Sequence, residues 1–384
     1  MDNTSATAPG IGKVSITGII ALIAGAALLL TGLGKPDIYG SYLFGFVAWT
    51  MFTVGCLLMM LLVHATRSVW GYPMVRFFEA GAKCIPLAAL LFIPIPFFLD
   101  KLFPWANQAM VATNHVLQYK TQYLNPTLFI ARAVIYFIIF FAFTYIVTNY
   151  AKKEDQTGDE KYFIARTNWA APGLVFVTLA LTFGITDWVM SLDPYWFSTI
   201  FGLIVTVGCA LGAMAACVFY LMTLVKWPPF DKVLNVKQWR DMGNLTLTLV
   251  ILWGYTSFSQ LIITWSGNLP DEITYFVSRR VGGWSTLGAA LVFLHFLLPF
   301  LLLLSSRLKR TAWLLGGTCI FILVMRFADI VWMVIPSLNR HMVLSDVGAF
   351  LAMGGLWLMF FAWQLKRNAL FPRYSLLPRE LEHA

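Results

Sequence analysis

What this chain has least of is charge. Only 12% of its 384 residues are Asp, Glu, Lys or Arg, against 59% hydrophobic, and the mean hydropathy is +0.74. No soluble domain of this size carries so much apolar surface, which leaves the class of polytopic membrane proteins. Cysteine is sparse as well: Cys56, Cys84, Cys209, Cys217 and Cys319, each inside an apolar run. They form no CxxC pair, no CxxCH haem-attachment site and no iron–sulfur spacing, so they read as small buried hydrophobes. Of five histidines, only His64 and His295 fall inside spans, at different depths, which argues against a bis-histidine haem; no metal site is expected. There is no Walker motif and no dinucleotide fingerprint, so nucleotide-driven transport and nicotinamide chemistry have no support. The start, MDNTSATAPG, lacks the basic residues and small-residue cleavage site of a secretory signal, so the first span is expected to be retained.

What is present is a series of apolar windows. They predict an all-α integral membrane protein with ten spans, near 16–33, 43–66, 84–99, 128–149, 170–191, 197–225, 243–266, 284–304, 311–334 and 345–365. The third is short and holds Pro86, Pro94 and Pro96, so it is expected to be broken or interior. Residues 100–127 mix Trp105, Tyr119 and Tyr123 with Asn107, Gln108 and Asn114, the composition of an interfacial helix. The stretch 150–169 is the most hydrophilic and reads as a loop. Fifteen Trp, 14 Tyr and 32 Phe suit lipid-facing surfaces and interfacial rings. The formal net charge of +9 would suggest nucleic acid in a soluble protein. Here the basic residues gather in alternate connectors: nineteen lie in the two tails and the connectors on their side, and six in the others. The positive-inside rule then places both termini in the cytoplasm, and no nucleic-acid partner is expected.

A pattern recurs 142 residues apart. Asp187-Trp188-Val189-Met190 is followed by Pro194, and Asp329-Ile330-Val331-Trp332-Met333 by Pro336, with seven residues from acid to proline in both. This predicts two parallel-repeated four-helix bundles, spans 2–5 and 6–9, flanked by spans 1 and 10. The implied organisation is a tail 1–15, a flanking span within 16–42, a first bundle 43–196, a second bundle 197–336, and a flanking span and tail 337–384.

Acids inside apolar spans usually face a bundle interior or a water-filled cavity. Arg326 and Asp329 share a helical face at i,i+3, and Arg132 and Asp187 lie at similar depth on consecutive spans, so both pairs are expected to meet. His64, Glu79 and Lys83 lie in the cytoplasmic half, and His295 near the middle of span 8. One reading makes Asp187, His295, Asp329, Arg326, Arg132, His64, Glu79 and Lys83 a proton path. A second makes His64, Asp187 and His295 contacts of a quinone. A third makes all of them polar ties between helices, with no catalytic residue among them.

Three stretches carry a resemblance: Thr182 to Trp196 (TFGITDWVMSLDPYW), Ser266 to Glu272 (SGNLPDE) and Phe293 to Phe300 (FLHFLLPF). Together they resemble the ActF-type subunit, called quinone-binding subunit 2, of bacterial alternative complex III, within the NrfD-like or polysulfide-reductase-C-like family. The resemblance spans residues 16–370. It implies an accessory membrane subunit of a respiratory quinol:electron-acceptor oxidoreductase in the bacterial inner membrane, anchoring the complex and offering a proton path or secondary quinone site. It implies no cofactor on this chain, haem c and iron–sulfur clusters on partners, and menaquinone or ubiquinone in the complex. Implied partners are a multihaem cytochrome c, an iron–sulfur protein, a larger NrfD-like sister subunit, small membrane subunits and a terminal oxidase, besides lipid. A two-repeat secondary transporter and a purely structural assembly subunit are the alternatives.

Overall fold

A computed structural model describes residues 10–67, 69–228, 230–269, 273–367, 369 and 371–372. Among these no residue is in a strand. Ten helices are long and apolar enough to cross a membrane: Ile11–Leu30, Asp37–Thr66, Val75–Leu102, Pro126–Thr157, Glu160–Leu192, Phe201–Leu224, Val236–Gly267, Trp284–Leu304, Ala312–Leu338 and Leu344–Lys366. They are called spans 1 to 10. An even number of crossings returns the chain to the face it left, here the terminal face; the opposite one is the far face. The tail before residue 10, the tail after 372, and Pro270, Asp271 and Glu272 of the SGNLPDE stretch lie outside the described residues.

The hydrophilic stretch 150–169 is not a loop. Span 4 runs to Thr157 and the next helix begins at Glu160. Gly158 takes φ 69° and donates its N–H to Glu154 O at 2.8 Å, and Asp159 accepts from Lys161 N at 3.0 Å. A left-handed glycine stop followed by an aspartate cap reverses the chain in two residues. Hydropathy marks where lipid ends, whereas the helices continue beyond it. Span 3 is broken into helices Val75–Ala82, Ile85–Phe92 and Leu99–Leu102, with a 3-10 turn Ile95–Phe98. Pro86 sits in the first turn of its helix, and Pro94 and Pro96 open the 3-10 turn, positions where a missing N–H costs little.

Between spans 3 and 4 the expected interfacial helix is two short ones, Gln108–Thr113 and His115–Lys120. Asn107 caps the first by accepting from Ala109 N at 3.1 Å, and Asn114 caps the second by accepting from Val116 N at 2.9 Å. The segment is pinned across the far face. The Trp105 indole donates to Ser191 Oγ at 3.1 Å, Asn114 Nδ2 to the Tyr195 hydroxyl at 2.7 Å, and Lys120 Nζ to Pro194 O at 2.6 Å.

Span 2 is the centre of the molecule. The most apolar stretch of span 2 is 83% buried, against 11% for span 1. Span 2 packs on spans 3, 5, 6 and 10, whereas span 1 rests on span 10. That seam depends on glycine: a Cβ at Gly25 would stand 2.1 Å from Ala352 N, and one at Gly355 2.4 Å from Leu22 N. Small residues of this kind let helix backbones touch in lipid. Span 10 is tied to span 2 by hydrogen bonds from Trp49 Nε1 to Phe350 O at 2.8 Å and from Trp357 Nε1 to Thr53 Oγ1 at 2.9 Å.

Candidate functional site

Three groups of buried charge contain the residues singled out from sequence. The first lies in the far-face half of spans 4 and 5. Arg132 grips Asp187 with two bonds, Nε to Oδ2 at 2.8 Å and Nη2 to Oδ1 at 2.9 Å. Its third nitrogen donates to Tyr123 O at 2.8 Å, and its guanidinium lies 3.8 Å from the centre of the Tyr123 ring. The Tyr136 hydroxyl donates to Asp187 Oδ2 at 2.8 Å. Asp187 is fully buried, yet both its oxygens are engaged in the fork geometry that suits a carboxylate. The helix reaches Asp187 before breaking at Val189, where Ser191 Oγ donates back to Asp187 O at 2.6 Å. Tyr136 and Tyr123 are partners of this pair that sequence reading did not place there. Tyr136 stands four residues after Arg132, the spacing that puts two side chains on one helical stripe.

The second group lies at the terminal face, between spans 2, 3, 4 and 5. His64 Nδ1 meets Arg166, and its Nε2 stands 3.5 Å from Glu79 Oε1. Arg76 donates to Glu79 Oε2 at 2.7 Å and also pairs with Asp155. Arg166 Nη2 donates to Glu154 Oε1 at 3.3 Å. Lys83 follows Glu79 by one turn and is half-buried. Arg76, Glu154, Asp155 and Arg166 were not singled out from sequence, because three of the four, Glu154, Asp155 and Arg166, lie in the supposed loop. A signal was there: Val147, Ala151 and Glu154 recur at four and three residues and are all buried, the stripe of a helix that continues. The cavity against His64 has about 20 Å³, room for one water and not for a ring.

The first and second groups share one helix. Asp187 lies 21 residues beyond Arg166, about 31 Å at 1.5 Å per residue. Next to Asp187, Trp188 packs in a ring cluster with Phe46, Phe92 and Phe137, at centroid distances of 5.2, 6.1 and 6.0 Å. Thr50, Thr144 and Thr167 are buried hydroxyls without a protein partner.

The third group lies in spans 6 to 9. Arg326 pairs with Asp329 on the same helix face, and its guanidinium fills the place a Cβ would take at Gly208. His295 is completely buried, its ring centroid 4.3 Å from that of Trp253, and neither ring nitrogen has a hydrogen-bond partner. It sits in a π-helical segment, Leu291–Leu297. Pro299 supplies the cause: with no N–H it cannot bond the carbonyl of residue 295, and the helix widens ahead of it. The structure thus brings together Arg132 with Asp187, Arg326 with Asp329, and His64 with Glu79, whereas His295 makes no hydrogen bond to any of them. Among the described residues no group of three or more His, Cys, Asp or Glu could hold a metal ion.

The far-face cations act as latches. Arg279, 3% exposed, donates to Trp332 O at 3.0 Å, Met333 O at 2.8 Å and Ser337 Oγ at 2.9 Å, capping the end of span 9. Its guanidinium lies 3.4 Å from the Tyr275 ring centre. Burial pulls its pKa down from the ordinary value, opposed by Tyr275 and Asp193, but a guanidinium stays charged. Lys120 plays the like part after span 5; burial lowers its pKa and Asp193 opposes. Arg340 clasps Asp346 at 2.8 and 2.7 Å, and Ser41 donates to the same carboxylate at 2.7 Å, joining spans 2 and 10. No family model matches the chain, and no curated protein matches it.

Proposed function

We propose that this chain is an anchoring subunit of a respiratory quinol oxidoreductase of the alternative complex III type, in a bacterial inner membrane with both termini cytoplasmic. Its partners in that reading are a multihaem cytochrome c, an iron–sulfur protein and a larger NrfD-like sister subunit. The reading includes two parallel four-helix units, spans 2–5 and 6–9. It draws support from span 2 packing on spans 3 and 5 and span 6 on spans 7 and 9, with spans 2 and 6 in contact. The observation that carries it is where the family-like stretches fall. TFGITDWVMSLDPYW ends span 5 and supplies Asp187, Ser191 and Pro194, three of the points that pin the far face. FLHFLLPF forms the widened turn around His295.

An anchor needs rigid helices that hold partners in place. Pairing that ties spans 4 and 5 at the far face, and spans 2, 3, 4 and 5 at the terminal face, suits this better than alternating access. The test is purification in mild detergent, with mass spectrometry of co-eluting chains and a visible spectrum. The expected result is a multihaem c-type spectrum, an iron–sulfur subunit and a second NrfD-like protein. A stable, colourless chain that elutes alone overturns the assignment and moves the transporter reading to first place.

A further inference from the structure

Spans 6 to 9 enclose a cavity of about 570 Å³ that the anchoring role does not use. Small-molecule sites occupy roughly 300–1,000 Å³. At the far-face end it is closed by Trp196, stacked on Tyr275 at 4.0 Å, with Trp332 edge-on to Tyr275 at 5.7 Å. Asp329 stands in its wall. Three further lining residues, Phe258, Leu261 and Val292, are 61%, 37% and 55% exposed. They belong to spans 7 and 8, so the cavity opens sideways into lipid between these helices and not onto an aqueous face.

Three polar groups in this apolar lining have no hydrogen-bond partner in the protein: the Trp196 indole N–H, the Ser257 hydroxyl and the Trp253 indole N–H, the last of which lies near the Asp329 carboxylate. Trp196 is 3% exposed. His295, equally without partners, stands one layer behind, against Trp253. Gln260 is engaged with Ser198 and Thr264, and Asp329 with Arg326. A buried polar group left unsatisfied is costly and points to a missing partner. Water meets such needs only where several polar atoms converge, and this lining is mainly rings and aliphatic chains.

We propose that the cavity binds a membrane-dissolved amphiphile whose carbonyl oxygens accept hydrogen bonds from Trp196 and Ser257, while its apolar body lies against Phe201, Trp253 and Phe296 and leaves between spans 7 and 8. Two sources offer this chemistry: the ring carbonyls of an isoprenoid quinone and the ester carbonyls of a phospholipid. The inference rests on the membrane placement of these spans and not on the respiratory assignment. A chain that purifies alone therefore tests it as well as a complex does.

The experiment is native mass spectrometry of the full chain, delipidated in detergent and titrated separately with decylubiquinone and with phosphatidylethanolamine. Ser257→Phe fills the cavity, and Ala289→Trp blocks its lipid side. Trp196→Phe removes one donor while keeping the ring. Each variant is first checked for a monodisperse elution profile, and the one that keeps it is used. One bound molecule per wild-type chain is expected. Occupancy should be lost in the filled or blocked variant and weakened about tenfold in Trp196→Phe, the effect of roughly 1.4 kcal/mol. Saturation by decylubiquinone alone assigns the quinone source, and by phosphatidylethanolamine alone the lipid source. No stoichiometric binding of either probe, or binding unchanged in the filled and blocked variants, overturns the proposal.

Discussion

Asp187 is fully buried and its carboxylate accepts three hydrogen bonds. Substituting Asp187→Asn removes the charge but leaves Arg132 in place. A partner stripped from a buried pair typically costs about 3–5 kcal/mol, because the remaining charge is uncompensated, whereas replacing both by apolar groups is often neutral. The expected order of thermal stability in detergent is therefore wild type near Arg132→Leu/Asp187→Leu, with Asp187→Asn and Arg132→Leu well below both. A double variant as unstable as the worse single would show that the pair is not the unit. The proton reading makes a different claim about the same atom. If Asp187→Asn assembles normally while proton coupling in the complex falls, the relay gains and the tie loses. The terminal-face group offers the matching test. Glu79→Gln leaves Arg76 with Asp155 as its remaining acid, so a smaller loss is expected than for Asp187→Asn, read from the same melting curves.

Helices in this chain are held by two different means. Spans 4 and 5 meet through ionic and ring contacts, while spans 1 and 10 meet through the absence of side chains. Placing Gly25→Leu in that seam sets a branched side chain where even a Cβ falls 2.1 Å from the Ala352 backbone nitrogen. Span 1 is expected to detach while the other helices keep their packing. Limited proteolysis after span 1 should then separate it from the remainder, which stays folded, whereas the wild-type fragments stay together. Gly317→Leu, a glycine with nothing within 4 Å of its would-be Cβ, is the control. The ten helices were legible from apolar runs because lipid demands about twenty such residues. The pairs were legible where one helical stripe or equal depth made them geometric necessities, as with Arg326 and Asp329. The terminal-face cluster was not, because Arg166 and Glu154 sit on helix that projects beyond the apolar layer, and hydropathy is blind there. Nor was the cavity: Trp196, Ser257 and Tyr275 come from three separate segments, and no local spacing announces their convergence.

For the molecule as a whole, the proposed orientation, with both termini cytoplasmic, can be tested chemically. All five native cysteines are buried, so the wild type gives a silent background to a membrane-impermeant maleimide. Thr157→Cys lies on the terminal face and Tyr119→Cys on the far face, where Tyr119 is 82% exposed. In intact spheroplasts the expectation is labelling of Tyr119→Cys alone, with Thr157→Cys labelled only after lysis. The reverse pattern sinks the cytoplasmic placement of the termini, and with it the side from which partners approach.

The glycine seam also sets a timetable. Of the ten spans, span 1 leaves the ribosome before the others, and span 10, which it rests on, leaves after them. Some 314 residues separate Leu30 from Leu344, so at roughly 5–20 residues per second the first helix waits about 15–60 s for its mate. It can afford to wait in lipid, since Ile11–Leu30 contains a single charged residue, Lys13, in its first turn. The buried charges follow another schedule: Asp187 meets an arginine from the helix made just before it, and Asp329 one from its own helix. In this chain the contacts that tolerate delay are the ones left for the end of synthesis.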